Sequence, residues 1–275
     1  MPASRRGLLT SAVLALPALA GCGAEPDAAG LPVVRQDIAY GPHARQRLDL
    51  YTPASMRADA PVLIFFHGGA FHTGSKDQHR FVGEAFCSRG MATVLANYRL
   101  IPDAPFPAFL EDAALATAWL DAAGKDSLPT GPRVLIGHSA GAFIAVMLAL
   151  DPRWLGAAGA PRPAGAVGMA GSYDVALRGP MLSILFPVAN IGDNQPIAFA
   201  DRPAPPLLLQ HGGVDAVVLS LQSRRLAARR RDAGQPVQLK LYPALGHFAL
   251  IGALAARASA PAVLDDIARF VTGLS

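Results

Sequence analysis

The chain has 275 residues, of which 52% are apolar and 16% charged, with a formal net charge of +4 and two cysteines. That length and apolar share suit one sizeable core, and the small positive balance excludes nucleic acid as an electrostatic partner. Two cysteines do not make a disulfide framework.

The N-terminus does not read as fold. Ser4-Arg5-Arg6-Gly7-Leu8-Leu9 resembles a twin-arginine export signal, and the apolar run Leu8 to Ala20 is too short to span a bilayer. The run ends in Leu19-Ala20-Gly21-Cys22, which is similar to a bacterial lipobox, where the cysteine is acylated and becomes the first mature residue. The expected layout is an export signal over 1–21, a flexible tether over 22–32 and one catalytic domain over 33–275. The expected location is the periplasm or cell exterior, on a membrane, through a lipid at Cys22. Cys87 is then unpaired, and its place beside Phe86 on a predicted helix reads as a buried, inert thiol.

Residues 33–38 and 47–51 read as two opening strands joined by a turn at Gly41-Pro42; the second alternates, with Leu48 and Leu50 opposite Arg47 and Asp49. Val62 to Phe66 is the most apolar strand. Ser75-Lys76-Asp77-Gln78 matches a capping box for a helix expected to stop at Gly90. A strand over 91–96, a helix over 109–123 and a strand over 133–136 follow. Ala142 to Leu150 is rich in helix formers and halts at Asp151-Pro152. The remaining pattern is a strand over 164–169, an irregular stretch over 172–205, a strand over 206–210, a helix over 219–233, a strand over 237–242 and a helix over 262–271. Strands alternating with helices imply an α/β fold, a mainly parallel, twisted, eight-stranded sheet with helices on both faces. Arg224, Arg225, Arg229, Arg230 and Arg231 fall on one of these helices and read as a solvated face, with contact to anionic lipid as the alternative.

Between a strand and a helix lies Gly137-His138-Ser139-Ala140-Gly141. A Gly-x-Ser-x-Gly in that setting is a nucleophile elbow, whose strained serine needs small neighbours. The bland reading is a helix start capped by Ser139. A nucleophilic serine needs a base, a group to orient the base, and donors for the oxyanion. In such a sheet these arrive in the order serine, acid, histidine at the strands' carboxyl ends. His247, in Gly246-His247-Phe248 after the last strand, alone fits the final position. His67 and His138 read as shaping backbone turns; His43, His72 and His79 read as solvated loop residues, with His72 also a candidate for the site mouth. Asp215 follows the strand over 206–210 and is the candidate acid, against Asp174 and Asp193 and against a plain helix-cap role. His67-Gly68-Gly69-Ala70-Phe71 after the most apolar strand is the candidate oxyanion loop, its glycines permitting close approach of backbone to substrate.

These motifs together resemble the α/β-hydrolase superfamily, in particular the hormone-sensitive-lipase-like carboxylesterases and the small bacterial esterases related to feruloyl and acetyl-xylan esterases and kynurenine formamidase. Tyr98-Arg99-Leu100-Ile101-Pro102, with Pro105 to Ala108 and Glu111-Asp112, is similar to the segment that follows strand four in that group. The resemblance implies catalytic Ser139, Asp215 and His247, and an oxyanion hole from the N–H groups of Gly69, Ala70 and Ala140. Ala70 stands where glycine is frequent, and the segment before Asp215 is only a small cap insertion.

The implied activity is cleavage of carboxylic esters, favouring short acyl chains, through an acyl-enzyme. Activity is expected to fall on acidification as histidine takes up a proton, across roughly pH 5–8. Phe71, Phe106 and Phe248 flank motif residues and read equally as pocket or core; Leu182 and Phe186 in the insertion read equally as cap or packing. No cofactor or metal is implied, since no histidine, cysteine and carboxylate cluster has ligand spacing. The expected partners are a small ester and the membrane under the lipid anchor. The alternatives are amide hydrolysis of arylformamidase or peptidase type, and a catalytically silent binding protein.

Overall fold

Five consecutive apolar residues, Val62–Phe66, form a strand (β3) that is buried throughout. Val62, Ile64 and Phe66 join one hydrophobic cluster and Leu63 and Phe65 the other. A period of two with both sets apolar describes a strand at the centre of a sheet covered on both faces. The computed structural model describes residues 32–122, 124–174, 194–255 and 262–274.

The strands preceding and following it are β1 (Val33–Ala39), β2 (Arg47–Thr52), β4 (Ala92–Ala96), β5 (Arg133–His138), β6 (Gly165–Met169), β7 (Leu207–Gly212) and β8 (Val237–Tyr242). They form one eight-stranded sheet in the order β1-β2-β4-β3-β5-β6-β7-β8. The β1–β2 and β2–β4 pairs are antiparallel and every other pair is parallel. The edges are protected by polar side chains: β1 carries Arg35 and Asp37, and β8 turns Gln238 and Lys240 to solvent.

The α-helices are α1 (Arg80–Cys87), α2 (Ala108–Asp121), α3 (Ala140–Leu150), α4 (Pro152–Ala157), α5 (Leu221–Asp232), α6 (His247–Gly252) and α7 (Ala262–Thr272). Phe109 of α2 and Phe143 of α3 pack in the first cluster, on one face of the sheet; Phe86 of α1 and Phe270 of α7 pack in the second. Every residue of α3 is buried, because it lies between the sheet and α2.

Several expectations change. The helix over 140–150 does stop at Asp151-Pro152, but a second helix follows at once: Asp151 caps α4, its carboxylate accepting the Arg153 N–H, and Pro152 occupies the first turn, where its missing N–H costs nothing. The capping box opens not an α-helix but a short 3₁₀ turn, Lys76–His79, that leads into α1. β2 is not half-solvated, since Asp49 is fully buried beside Leu48 and Leu50. Its counter-charge is Lys76, itself buried, whose ammonium lies 2.9 Å from Asp49, 2.8 Å from Asp37 and 3.3 Å from Asp77. The arginine run is not a uniformly solvated face either. Arg230 is fully buried, and its Nη1 donates to the carbonyls of Ala200 and Arg202. α5 packs this side against the 3₁₀ turn Pro196–Phe199.

Candidate active site

The parallel strands β3, β5 and β7 and the edge strand β8 all deliver a loop at their carboxyl ends, the side where such sheets bind ligands. β5 ends at His138, and Ser139 follows with φ 56° and ψ −117° before α3 begins. A residue with a Cβ is strained there. The turn is held from both sides. Ser139 N donates to the Met169 carbonyl of β6 at 2.8 Å, and a Cβ on Gly137 or Gly141 would overlap the Gly141 or Phe66 carbonyl respectively. Glycines at those two positions are therefore what lets the strand, turn and helix close on each other.

The β7 loop carries Asp215, which is buried. Its Oδ1 accepts the N–H groups of Val217 and Val218 at 2.9 and 2.8 Å, and its Oδ2 lies 2.8 Å from His247 Nδ1. Burial pushes the Asp215 carboxyl up, but the hydrogen bonds from Val218, His247 and Val217 outweigh it and hold the group below the usual carboxylate range. With an ionised acceptor at Nδ1, the His247 ring is held in the tautomer that keeps the proton on Nδ1 and leaves Nε2 as acceptor.

His247 starts α6, a helix the sequence reading did not foresee. Ser139, His247, Gly69 and Ala70 line one cavity of about 660 Å³. Gly69, Ala70 and Phe71 all have positive φ, at 123°, 51° and 63°. This tight turn sends the N–H groups of His72 and Thr73 to the Gly69 carbonyl, both at 3.0 Å. Among the described residues, the N–H groups of Gly69 and Ala70 enter no backbone hydrogen bond. Ala140 is the first residue of α3, where backbone N–H groups have no intrahelical acceptor.

Behind this loop stands a buried polar support. Asp112 of α2 accepts Gln46 Nε2 at 2.7 Å and the Arg99 N–H at 2.8 Å, fixing the segment after β4. Tyr98 then donates its hydroxyl to the His67 carbonyl at 2.8 Å and stacks on the His67 ring.

The aromatic candidates separate. Phe248 is 74% exposed and lines the cavity, with Val217 near it on the wall. Phe71 and Phe106 do not line it, a correction to their candidacy as pocket residues. Phe71 stacks on Phe109 at 4.3 Å, and Phe106 packs edge-on against Phe109 and Trp154. The positive φ at Phe71 turns its ring into the core rather than the site. Leu182 and Phe186 lie outside the described residues, as do Asp193 and Cys22. Asp174, the other rival acid, pairs with Arg225 at 2.8 Å. His72 and His79 both reach the cavity wall, so neither is a purely solvated loop residue. Cys87 is buried, and burial pushes its thiol up to about 12.

Two histidines that the sequence reading left without a part in the site belong to it. His138 Nε2 lies 3.1 Å from the His247 carbonyl oxygen, and burial with the adjacent His247 lowers its pKa to about 3, so it is a neutral Nε2–H donor. His211 is fully buried; its Nε2 lies 2.8 Å from the Val218 carbonyl and 3.4 Å from Asp215 Oδ2, and its Nδ1 2.7 Å from Ser223 Oγ. It closes the loop that carries Asp215. Only its position at the end of a strand, four residues before the acid, signalled this.

An elbow serine on a mostly parallel sheet, with a buried aspartate–histidine pair across one cavity, defines the class of α/β-hydrolases. The prolyl oligopeptidase family model matches residues 116–274, more than half the chain, and the BD-FAE model matches 48–154. An acetyl-hydrolase of Streptomyces hygroscopicus is 34% identical over 216 residues, covering 70% of this chain and 69% of its own. A kynurenine formamidase of Danio rerio is 30% identical over 139 residues, covering 50% of this chain and 46%, about half, of its own. Esterase B from Lactobacillus rhamnosis, solved with a tributyrin phosphonate inhibitor, shares the fold with a TM-score of 0.77, 22% identity, and coverage of 88% and 86%. The chain belongs to the prolyl oligopeptidase family of α/β-hydrolases and is a carboxylesterase-type hydrolase.

Proposed function

We propose that the chain cleaves short-chain carboxylic esters with Ser139 as nucleophile, His247 as base and Asp215 as the group that orients it. The observation that carries this reading is the 2.8 Å contact of Asp215 Oδ2 with His247 Nδ1 on the cavity wall shared with the strained Ser139. His247 Nε2 takes the Ser139 proton as Oγ attacks the ester carbonyl carbon. The N–H groups of Gly69, Ala70 and Ala140 hold the oxyanion, each such donor contributing about 3–4 kcal/mol. His247 returns the proton to the leaving alcohol, and water then cleaves the acyl-enzyme by the same steps.

Short acyl groups are supported by the acetyl-hydrolase relative. The test is hydrolysis of p-nitrophenyl esters from acetyl to long acyl, with Ser139→Ala alongside. A rate that peaks at short chains and falls by about 10⁴-fold or more in the variant supports the reading. A peak at long chains overturns the acyl-length part, and activity retained by the variant overturns Ser139 as nucleophile.

Similarity to kynurenine formamidases favours a second reading, hydrolysis of an N-formyl aromatic amide by the same residues. A kcat/KM for N-formylaniline above that for phenyl acetate would establish it.

We also infer from the sequence that the protein is exported and anchored by acylation of Cys22. Residues 1–31 lie outside the described residues, and no described helix is long and apolar enough to cross a membrane. Mass spectrometry of the mature N-terminus tests this: a diacylglyceryl cysteine supports it, and an intact or differently cleaved leader overturns it.

A further inference from the structure

We propose that a second, basic cavity beside the catalytic one receives a carboxylate carried by the ester substrate. The proposal rests on the ester-hydrolase reading above and names a substrate class for that site.

The cavity measures about 440 Å³, and its walls include His43, Arg45, His72, Arg99 and Asp103. It adjoins the catalytic cavity, because His72 lines both. Arg45 supplies the decisive charge. Its Nε donates to the Tyr98 carbonyl at 2.8 Å and its Nη2 to the Gly74 carbonyl at 2.9 Å, and Gly74 is itself part of the catalytic cavity's wall. Both acceptors are neutral, so these bonds fix the direction of the guanidinium without cancelling its charge. Among the described residues, no carboxylate pairs with Arg45, and its remaining N–H groups have no protein acceptor.

Arg99 differs. It is already matched by Asp112 at 2.8 Å and Glu111 at 3.4 Å, so it shapes the wall and adds little net charge. Asp103 is exposed, where water screens it. A guanidinium pre-oriented by backbone, with donors to spare on a concave wall, is suited to a planar carboxylate. Its position next to the catalytic cavity lets one ligand place its ester at Ser139 and its acid at Arg45. A cavity of this size admits a small acidic arm rather than a polymer.

The test uses the full chain and two matched substrate pairs, each rate normalised to uncatalysed hydrolysis. On the acyl side, mono-p-nitrophenyl succinate is compared with p-nitrophenyl butyrate. On the alcohol side, para-acetoxybenzoate is compared with its methyl ester. The expected result is a kcat/KM preference of about tenfold or more for the acid in at least one pair, carried mainly by KM. Arg45→Gln should remove that preference. Because Arg45 also ties two loops together, His43→Glu is made in parallel: His43 is exposed on the same cavity, its ring accepts the Arg45 backbone N–H at 3.1 Å, and a carboxylate there should remove the preference while the guanidinium keeps its bonds to the Tyr98 and Gly74 carbonyls. Equal rates within both pairs overturn the proposal, as does a preference that survives both variants. Inhibition of the neutral ester by free succinate, with no preference between pair members, also overturns it, since the anion is then not borne by substrate. Serine-dependent cleavage of the neutral esters stands in each of these cases; its loss, instead, is failure of the esterase reading.

Discussion

His138 Nε2 donates to the backbone carbonyl of His247 across 3.1 Å, although 109 residues separate them in sequence. The residue before the elbow serine thus anchors the backbone of the candidate base, and their rings lie 4.7 Å apart. Removing the donor cuts the tie between the end of β5 and the start of α6 and leaves the His247 backbone free to drift. His138→Ala is expected to lower kcat by about 10–100-fold with KM nearly unchanged, as a displacement of about 1 Å does. His138→Gln, which restores an N–H donor, should recover part of it. Equal losses in the two variants would show that packing, not the hydrogen bond, matters.

Asp215→Asn keeps an oxygen for the Val217 and Val218 N–H groups but presents an amide to His247 Nδ1. The ring then favours the wrong tautomer. A fall in kcat of about 10⁴-fold is expected at unchanged fold, checked by steady-state kinetics beside circular dichroism.

The strain at Ser139 predicts a conflict between activity and stability. Ser139→Ala keeps a Cβ at φ 56°, whereas Ser139→Gly does not. The glycine variant should therefore be the more stable of the two by about 1 kcal/mol in urea denaturation, both being inactive. The reverse order would mean that the elbow stores no strain.

Burial lowers the pKa of His67 and of His138 to about 3 each, well under the ordinary value of 6.5. Below about pH 6.5 the unfolded chain binds protons that the folded chain refuses, so stability rises with pH in this window. Each histidine contributes a slope of up to about 1.4 kcal/mol per pH unit between roughly 6.5 and 3. Asp215 has its carboxyl held below the usual range, so its contribution is lost only at still lower pH, beneath about 4. Urea midpoints at pH 7.5 and 5 should differ accordingly, and His138→Gln should flatten the dependence. A midpoint unchanged over that range would contradict neutral burial.

Lys76 joins the buried Asp49 to Asp37 and Asp77. Burial alone would lower its pKa, but the three carboxylates outweigh this and raise it, so the ammonium stays charged. Lys76→Met should cost about 3–5 kcal/mol by leaving the Asp49 charge buried and unpaired. Asp49→Asn in the same chain should return part of that loss, read as a thermal midpoint.

The local signals were strong where the chain's own periodicity or turn chemistry dictates structure. Val62–Phe66 had to be a central strand, and Gly137 to Gly141 between a strand and a helix had to be a tight turn, because both depend on residues adjacent in sequence. The order of Ser139, Asp215 and His247 followed from the succession of strands, since each loop falls on the same side of a parallel sheet. What lay beyond the sequence depends on residues far apart. Asp49 looked solvent-facing because its partner Lys76 arrives from another turn, and Arg230 looked like its exposed neighbours until α5 packed on the turn at Pro196–Phe199. Phe71 and Phe248 flank motifs alike, yet a positive φ turns one into the core while the start of α6 leaves the other at the cavity mouth. His138 and His211 acquire their places from contacts that only the closed sheet creates. The sequence by itself determined the strands, the elbow and the order of the candidate residues; tertiary packing decided which polar groups are buried together, because burial and hydrogen bonding are properties of neighbours in space.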